Sequence, residues 1–283
     1  MTERAAAPAA QAAGGVGSAP PGYAHHARAT YEVLAPYYDD FTADHDYDSW
    51  TRSLEALARD CGLRGRRLLD VACGTGKSFM PFLDRGYEVV ACDVSPAMVQ
   101  LAAAKAGDRA RLEVCDMRAL PGLGTFDLVC CIDDAVNYLL TTEELVATFA
   151  GLARNLAAGG VVLFDANSLA TYRSFFASIS VLVGDERVLV WEGHAPGGFA
   201  AGGLAQATVE ALHRGADGSW WRERAVHHQR HHPRAEVERA LREAGLEPVA
   251  VRGMRLDGTV TEDFDELDNS KAVYVARVGG PEE

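Results

Sequence analysis

The sequence predicts an α/β protein in which a mostly parallel sheet carries a ligand-binding turn. Leu68–Ser78, LLDVACGTGKS, combines a short apolar strand with a glycine-rich turn. Tyr87–Pro96, YEVVACDVSP, is a second apolar strand that ends in the acid Asp93. A strand, a tight turn, a helix and a strand with an acidic tip form one half of a nucleotide-binding sheet. Further short apolar runs along the chain are typical of strands that helices cover on both faces.

Seven short apolar runs predict the strands of the main sheet. They lie at 67–72, 87–92, 111–115, 126–131, 160–165, 246–252 and 271–277. Helical spacing of apolar residues at 27–62 predicts two helices before the sheet. Ser95–Pro96 is an N-cap followed by proline at the first helical position, and Thr141 with Glu144 forms a capping box.

The pattern changes after Asn167. Short segments of alternating apolar and polar residues follow, with turns at 196–203 and 215–218. This alternation predicts antiparallel strands in a second sheet, inserted after the fifth strand of the main one. A helix from Pro233 to about Ala244 then returns the chain to the main sheet.

Composition limits the partners that this chain can take. The net charge of −13 disfavours a nucleic-acid substrate, because an acidic surface repels phosphate. The sequence has no apolar run long enough for a membrane span. Its six cysteines show no metal-binding spacing and are expected to be reduced thiols, which predicts a cytoplasmic protein. The first residues, rich in Ala, Gly and Pro, predict a disordered tail.

The glycine turn disfavours two ligand classes. Its third glycine position is Phe79, which disfavours NAD or FAD, and there is no P-loop for nucleoside triphosphates. The segment D-V-A-C-G-T-G at 70–76, with Asp93 downstream, resembles the first motif of class I S-adenosylmethionine-dependent methyltransferases. The resemblance covers roughly residues 28–277, is specific in the first half of the sheet, and extends in layout to small-molecule sugar N-methyltransferases.

This resemblance implies a Rossmann-like seven-stranded sheet with an inserted antiparallel β-sheet lid. The implied organisation is a disordered tail (1–26), an N-terminal helical cap (27–62), a cofactor-binding half (63–167), a substrate lid (168–232) and a C-terminal completion of the sheet (233–279). It also implies S-adenosyl-L-methionine as the cofactor.

Each implied cofactor contact is assigned by position in the motif. Asp70 would accept a hydrogen bond from the cofactor ammonium beside the turn, and Asp93 would bind the ribose. Asp116 and Met117 would lie beside the adenine. The full implied set is Tyr38, Asp70, Ala72, Gly74, Gly76, Asp93, Val94, Met98, Asp116, Met117 and Asp133.

Three residues are candidates for contact with the reacting groups. Asp133 follows the fourth strand, where the family places the methyl group. Tyr38, in APYYDDF, resembles a segment that folds over the cofactor, and a tyrosine face stabilises a sulfonium. His231, from the cluster His227, His228, His231 and His232, is a candidate general base.

Other candidates in the loop after the fourth strand are Asp134, Asn137 and Tyr138. No metal site is expected. The spacing of Asp165 and Asn167 departs from the adjacent Asp-Asn pair that magnesium-dependent O-methyltransferases carry after the fifth strand.

The leading hypothesis is methyl transfer to an amine or hydroxyl of a small, specialised metabolite, as in antibiotic biosynthesis. Two alternatives stay open: a tRNA or RNA methyltransferase, and a non-catalytic adenosylmethionine-binding subunit. The expected partner is a small-molecule acceptor, without nucleic acid or membrane, and a homodimer is left open.

Overall fold

The computed structural model describes residues 26–279. The predicted disordered tail, residues 1–26, lies outside the described residues except for His26, which begins the first helix. The helices are α1 (His26–Leu34), α2 (Tyr38–Phe41), α3 (Tyr47–Asp60), α4 (Met80–Asp84), α5 (Pro96–Ala106), α6 (Thr142–Arg154), α7 (Leu169–Arg173) and α8 (Arg234–Glu243). Within this part of the chain, none of them is long and apolar enough to cross a membrane.

The strands form two separate sheets. In chain order they are β1 (Arg67–Val71), β2 (Glu88–Asp93), β3 (Ala110–Val114), β4 (Phe126–Cys131), β5 (Leu156–Asn167), β6 (Ile179–Val183), β7 (Arg187–Gly193), β8 (Leu204–Arg214), β9 (Trp220–Arg230), β10 (Leu246–Met254), β11 (Val260–Thr261) and β12 (Lys271–Val278). The main sheet has the order β11-β10-β12-β5-β4-β1-β2-β3. Strands β1 to β5 pair in parallel, and β12, β10 and β11 are antiparallel to their neighbours.

The main sheet has eight strands, so the prediction of seven strands was wrong by one. The additional strand, β11, consists of Val260 and Thr261 and pairs with Gly253 and Met254 at the edge of the sheet. A two-residue strand is too short to produce an alternating or continuous apolar pattern, and only its pairing with β10 defines it.

Helices cover both faces of the main sheet. On one face α3, α4 and α5 contribute Leu54, Phe82 and Ala102 to a core that includes Leu68 of β1. The opposite face is packed by α6 and α8, whose side chains include Phe149 and share a second core with β4 and β5. Because both faces are buried, ligands can reach the sheet only along its edges and strand ends.

The second sheet has the order β6-β7-β8-β9, and every pair in it is antiparallel. Helix α1 packs on β9, where the Thr30 hydroxyl donates to the Val226 carbonyl at 2.6 Å. Leu34, Tyr172, Trp191 and other side chains form a third core between this sheet and the N-terminal helices. The sheet and the N-terminal helices thus enclose the space beside the carboxyl ends of the main strands.

Candidate active site

Strained backbone marks one edge of the main sheet. Ala72, Asp133 and Asp134 adopt positive φ angles of 60°, 65° and 51°, and no other non-glycine residue does so in the described chain. Ala72 directly follows β1, and Asp133 and Asp134 come two and three residues after β4, the neighbour of β1 in the sheet. Such conformations cost roughly 1–3 kcal/mol each and concentrate at functional sites. The strained backbone therefore marks the carboxyl ends of β1 and β4 as a candidate site.

The two glycines of the predicted cofactor turn have different surroundings. A Cβ on Gly74, where φ is 54°, would meet only a ring carbon of Tyr38, at 3.8 Å. A Cβ on Gly76 would lie 2.9 Å from the buried ring of Phe79 and 3.3 Å from Ala102. Packing alone therefore requires glycine at 76, whereas Gly74 leaves room for a ligand and lies beside Tyr38.

Asp93 at the end of β2 faces the turn and is buried. Its Oδ2 accepts from the Gly74 amide and its Oδ1 from the Ser95 amide, both at 2.9 Å. Burial raises the pKa of this carboxyl despite those hydrogen bonds. Each carboxylate oxygen has a second lone pair, so Asp93 holds the turn and can still accept from a ligand hydroxyl.

Asp70, at the end of β1, has one oxygen without a partner. Its Oδ2 accepts from the Ser78 hydroxyl at 2.5 Å, while Oδ1 is buried and has no hydrogen-bond partner among the described residues. Burial raises the pKa of Asp70 to about 7. A buried oxygen in this state is suited to accept from a cationic ligand group.

Four further predicted cofactor contacts follow β2 or β3 in the chain. Met98 is fully buried, and Val94 and Met117 are half-buried. The Asp116 carboxylate accepts from the Arg118 amide and pairs with the Arg118 guanidinium at 2.6 Å. Any adenine contact by Asp116 would therefore be made by a carboxylate that Arg118 already holds in place.

Asp133 is the centre of a hydrogen-bond network below a cavity. Its Oδ2 accepts from the hydroxyls of Tyr38 at 3.2 Å and Tyr47 at 3.0 Å, and its Oδ1 from Lys271 Nζ at 2.9 Å. Although burial acts in the opposite direction, the Lys271 ammonium lowers the pKa of Asp133 to about 2. The structure therefore brings Tyr38 and Asp133, two of the predicted site residues, into direct contact.

Two further carboxylates share the same lysine. Lys271 Nζ lies 2.9 Å from Asp134 Oδ1 and 3.4 Å from Asp165 Oδ1. Asp165 is fully buried and accepts from the amides of Asp133 at 2.9 Å and Asp134 at 2.6 Å, so it fixes the strained loop. Burial raises the pKa of Asp165 to about 6 and also raises that of Asp134.

Sequence reasoning missed Lys271, Tyr47 and Trp50. Lys271 begins β12, and its ammonium lies 5.3 Å from the ring centroid of Trp50 on α3. A lysine at the start of an otherwise apolar strand, in a chain with only three lysines, was the available signal. The cluster of Asp133, Asp134, Asp165 and Lys271 is named the acid cluster below.

A cavity of about 1300 Å³ adjoins the acid cluster. Asp133, Asp134 and Lys271 line one end of it, and β6 and β7 of the second sheet line another. Phe41, Trp191 and Phe175 stack along its wall, with ring centroids 6.0 and 4.4 Å apart. The cavity thus combines an aromatic wall with the acid cluster, and further acids such as Asp40 and Asp185 line it elsewhere.

The histidine cluster divides between the cavity and the interior. His227 lines the cavity, and its Nδ1 lies 2.6 Å from the Tyr138 hydroxyl. His231 is fully buried, contacts the Gly202 amide and Glu266, and is not among the cavity-lining residues. The structure therefore brings His227, rather than His231, to the cavity. In the described part of the chain, no group of His, Cys, Asp and Glu is arranged to hold a metal ion.

Comparisons with known proteins agree with this geometry. A family model for a methyltransferase domain matches residues 68–160. YqeM of Bacillus subtilis, named as a methyltransferase, is 32% identical over 169 residues, which are 58% of this chain and 67% of that protein. The chain belongs to the S-adenosylmethionine-dependent methyltransferases. Its cofactor is S-adenosylmethionine.

Solved structures of this family share the fold of the methyltransferase. An S-adenosylmethionine-dependent methyltransferase from Clostridium acetobutylicum superposes with a TM-score of 0.74 at 23% identity, covering 88% of this chain and 99% of that one. Streptomyces venezuelae DesVI gives a TM-score of 0.67 at 25% identity, covering 86% and 97%. The sugar N-methyltransferase KedS8 of Streptoalloteichus gives 0.69 at 23% identity, covering 97% and 98%.

The residues around the turn of this methyltransferase fit the cofactor. The unpartnered Oδ1 of Asp70 suits its ammonium, the remaining lone pairs of Asp93 suit ribose hydroxyls, and the backbone at Gly74 is open. Bound S-adenosylmethionine supplies a methyl group that its sulfonium already activates. The individual contacts assigned from the sequence stay predictions.

Proposed function

We propose that this methyltransferase acts on the amine of a small molecule bound in the cavity. The observation that carries the proposal is the acid cluster, in which one ammonium faces three carboxylates. Asp133, Asp134 and Lys271 line the cavity, whereas Asp165 is fully buried. Tyr38 joins this cluster to the glycine turn, because its hydroxyl donates to Asp133 and its ring lies beside Gly74. The acceptor would thus lie between the acid cluster and the cofactor turn.

The charge of the acid cluster favours a cationic group over a neutral hydroxyl. With all three carboxylates ionised, one lysine leaves an excess of negative charge in a partly buried site, where attraction is weakly screened. An ammonium must lose a proton before its nitrogen can act as a nucleophile. Asp134, whose pKa burial raises, is the group of the cluster that lines the cavity and is suited to receive such a proton.

Two relatives support an amine on a specialised metabolite. A dTDP-3-amino-3,4,6-trideoxy-α-D-glucopyranose N,N-dimethyltransferase of Streptomyces venezuelae is 35% identical over 138 residues. A dTDP-4-amino-2,3,4,6-tetradeoxy-D-glucose N,N-dimethyltransferase of Saccharopolyspora spinosa is 31% identical over 98 residues. An RNA acceptor is disfavoured by the net charge of −13.

The test is a panel of matched acceptors with release of S-adenosylhomocysteine as the readout. The panel contains dTDP-3-amino-3,4,6-trideoxy-α-D-glucopyranose, glycine, trans-2-aminocyclohexanol and cyclohexylamine, with cyclohexanol and trans-1,2-cyclohexanediol as hydroxyl counterparts. We expect turnover with an amine and none with its hydroxyl counterpart. Turnover with the alcohols alone would overturn the choice of amine. Cofactor binding without turnover on any acceptor would favour a non-catalytic subunit.

A charge variant sharpens the same test. Asp133→Asn removes a negative charge from the acid cluster and is expected to raise the KM for the amine by about tenfold, on the scale of one charge-assisted hydrogen bond. Asp127→Asn is the control, because Asp127 pairs with Arg67 at the opposite end of β4. Equal effects of the two substitutions would contradict the role of the acid cluster.

A further inference from the structure

His227 has a ring nitrogen without a hydrogen-bond partner beside the cavity. The residue is only 3% exposed, and its Nε2 has no partner among the protein groups that the structure describes. An unsatisfied buried polar atom is unfavourable, and native proteins retain few of them. Because His227 lines the cavity, a ligand bound there can supply the missing hydrogen bond.

The imidazole of His227 is held in one orientation by residues from several elements. Its Nδ1 lies 2.6 Å from the Tyr138 hydroxyl, to which the Tyr31 hydroxyl on α1 donates at 2.9 Å. The ring of Tyr31 packs edge-on to the imidazole at 5.9 Å, and that of Trp191 on β7 lies 5.5 Å away. A group fixed in this way binds a ligand with little loss of side-chain entropy.

The remaining hydrogen bond of His227 is best matched by a hydroxyl group. Burial, followed by the neighbouring His26 and His228, lowers the pKa of His227 to about 3, so the ring is neutral. A neutral imidazole offers either an N–H or a lone pair at Nε2, depending on its tautomer. A hydroxyl can donate or accept and therefore pairs with both tautomers, whereas an ammonium can only donate.

The position of His227 relative to the acid cluster limits the distance between the two polar groups of the ligand. Gln229, two residues further along β9 on the same buried face, also lines the cavity and donates to Asp134 Oδ2 at 2.6 Å. Side chains two apart on a strand lie about 7 Å from each other. Asp134 lies one hydrogen bond beyond Gln229, so the two ends are about 10 Å apart at most. A hydrogen bond of about 3 Å at each end leaves about 4 Å between the bridging ligand atoms.

We propose that the acceptor is an amino alcohol whose hydroxyl binds His227 Nε2 while its neighbouring amine binds the acid cluster. This inference rests on the proposed function and adds a requirement for a hydroxyl beside the reacting nitrogen. His227 is then an acceptor-binding residue that selects among amines.

The test compares trans-2-aminocyclohexanol with cyclohexylamine, which differ by one hydroxyl, as acceptors for the full chain with S-adenosylmethionine. We expect the wild-type kcat/KM to be at least tenfold higher for the amino alcohol. His227→Asn keeps an amide atom near the position of Nδ1 for Tyr138 but removes Nε2. This variant is expected to reduce the ratio of the two kcat/KM values to less than threefold. The reduction should come from a lower kcat/KM for the amino alcohol alone.

His194, directly after β7, supplies the control. His194→Leu changes a residue that contacts Thr208 and does not line the cavity, and it should keep the preference of the wild type. Unchanged cofactor affinity and melting temperature show that His227→Asn is folded. If the wild type does not distinguish the two amines, or His227→Asn keeps the preference, the inference is overturned while the proposed function stands. If neither these nor the other amines of the panel are methylated, the proposed function fails and the inference fails with it.

Discussion

Lys271 and Asp133 are 138 positions apart in the chain and form an ion pair of 2.9 Å below the cavity. The same ammonium also contacts Asp134 and Asp165, so a single lysine from β12 compensates two acids after β4 and one acid within β5. Asp165 in turn fixes the strained loop through two backbone amides. The shape and the charge of the proposed acceptor site therefore depend on the same four side chains.

Replacing Lys271 with methionine is expected to destabilise the protein strongly. The change leaves three carboxylates without their cation, and breaking a buried ion pair on one side costs about 3–5 kcal/mol. Denaturant unfolding measures the loss. Arg52→Met, which removes a surface pair with Asp48, is the control and should change the free energy of unfolding by less than about 1 kcal/mol. Similar losses in both variants would contradict the buried network.

Asp70 is expected to make the stability of the cofactor-free protein depend on pH. Its pKa is raised to about 7 in the folded state, against about 4 when unfolded. Its contribution is therefore fully present below about pH 4 and is lost as pH rises through 7. Asp70→Asn should remove this dependence. The free energy of unfolding of the variant should therefore rise, relative to that of the wild type, by about 1–4 kcal/mol between pH 4 and pH 8. Parallel stability curves for the two proteins would contradict a buried, unpartnered carboxyl.

Tyr38→Phe is expected to lower turnover by about tenfold and to leave cofactor affinity within about twofold. The substitution removes one hydrogen bond to Asp133 but keeps the ring beside Gly74. Steady-state kinetics and calorimetry separate the two effects. Tyr37→Phe is a matched control, because the Tyr37 hydroxyl contacts His213 and Glu223 away from the cavity. If Tyr37→Phe lowered turnover more than Tyr38→Phe, the role given to the Tyr38 hydroxyl would be contradicted.

Ala72→Gly is expected to stabilise the protein or to leave its stability unchanged. The φ of 60° at Ala72 is strained for a residue with a Cβ, whereas glycine adopts it readily. Relief of about 1 kcal/mol of backbone strain would offset the greater conformational entropy of glycine in the unfolded chain. Ala72→Val should instead lose 1 kcal/mol or more, because a β-branched residue is disfavoured at positive φ. Equal melting temperatures for the two variants would argue against strain at this position.

The contact between the glycine turn and Asp93 could be predicted from the sequence because it is local. Gly74 and Asp93 are 19 positions apart, and the pairing of β1 with β2 brings them within a hydrogen bond. Strand alternation also put His227 and His231 on one face. It could not tell which of them meets the cavity, because β9 ends at Arg230 and His231 lies beyond the strand.

The acceptor half of the site could not be predicted in the same way. Lys271, Tyr47 and Trp50 come from distant segments, and no local pattern records that β12 lies beside β5 or that α3 faces the loop after β4. The eighth strand escaped prediction because its two residues are ordered only by pairing with β10.

Calorimetric titration of S-adenosylmethionine into the wild type and Asp93→Asn tests most directly whether the turn at 72–76 and Asp93 bind the cofactor. Removal of this charge should weaken binding by about 1–3 kcal/mol, which is roughly 5- to 150-fold in the dissociation constant. We expect the wild type to bind S-adenosylmethionine and the variant to bind it more weakly by this factor. An unchanged melting temperature shows that the variant is folded. Equal affinity in a folded variant would contradict the assignment of the cofactor site.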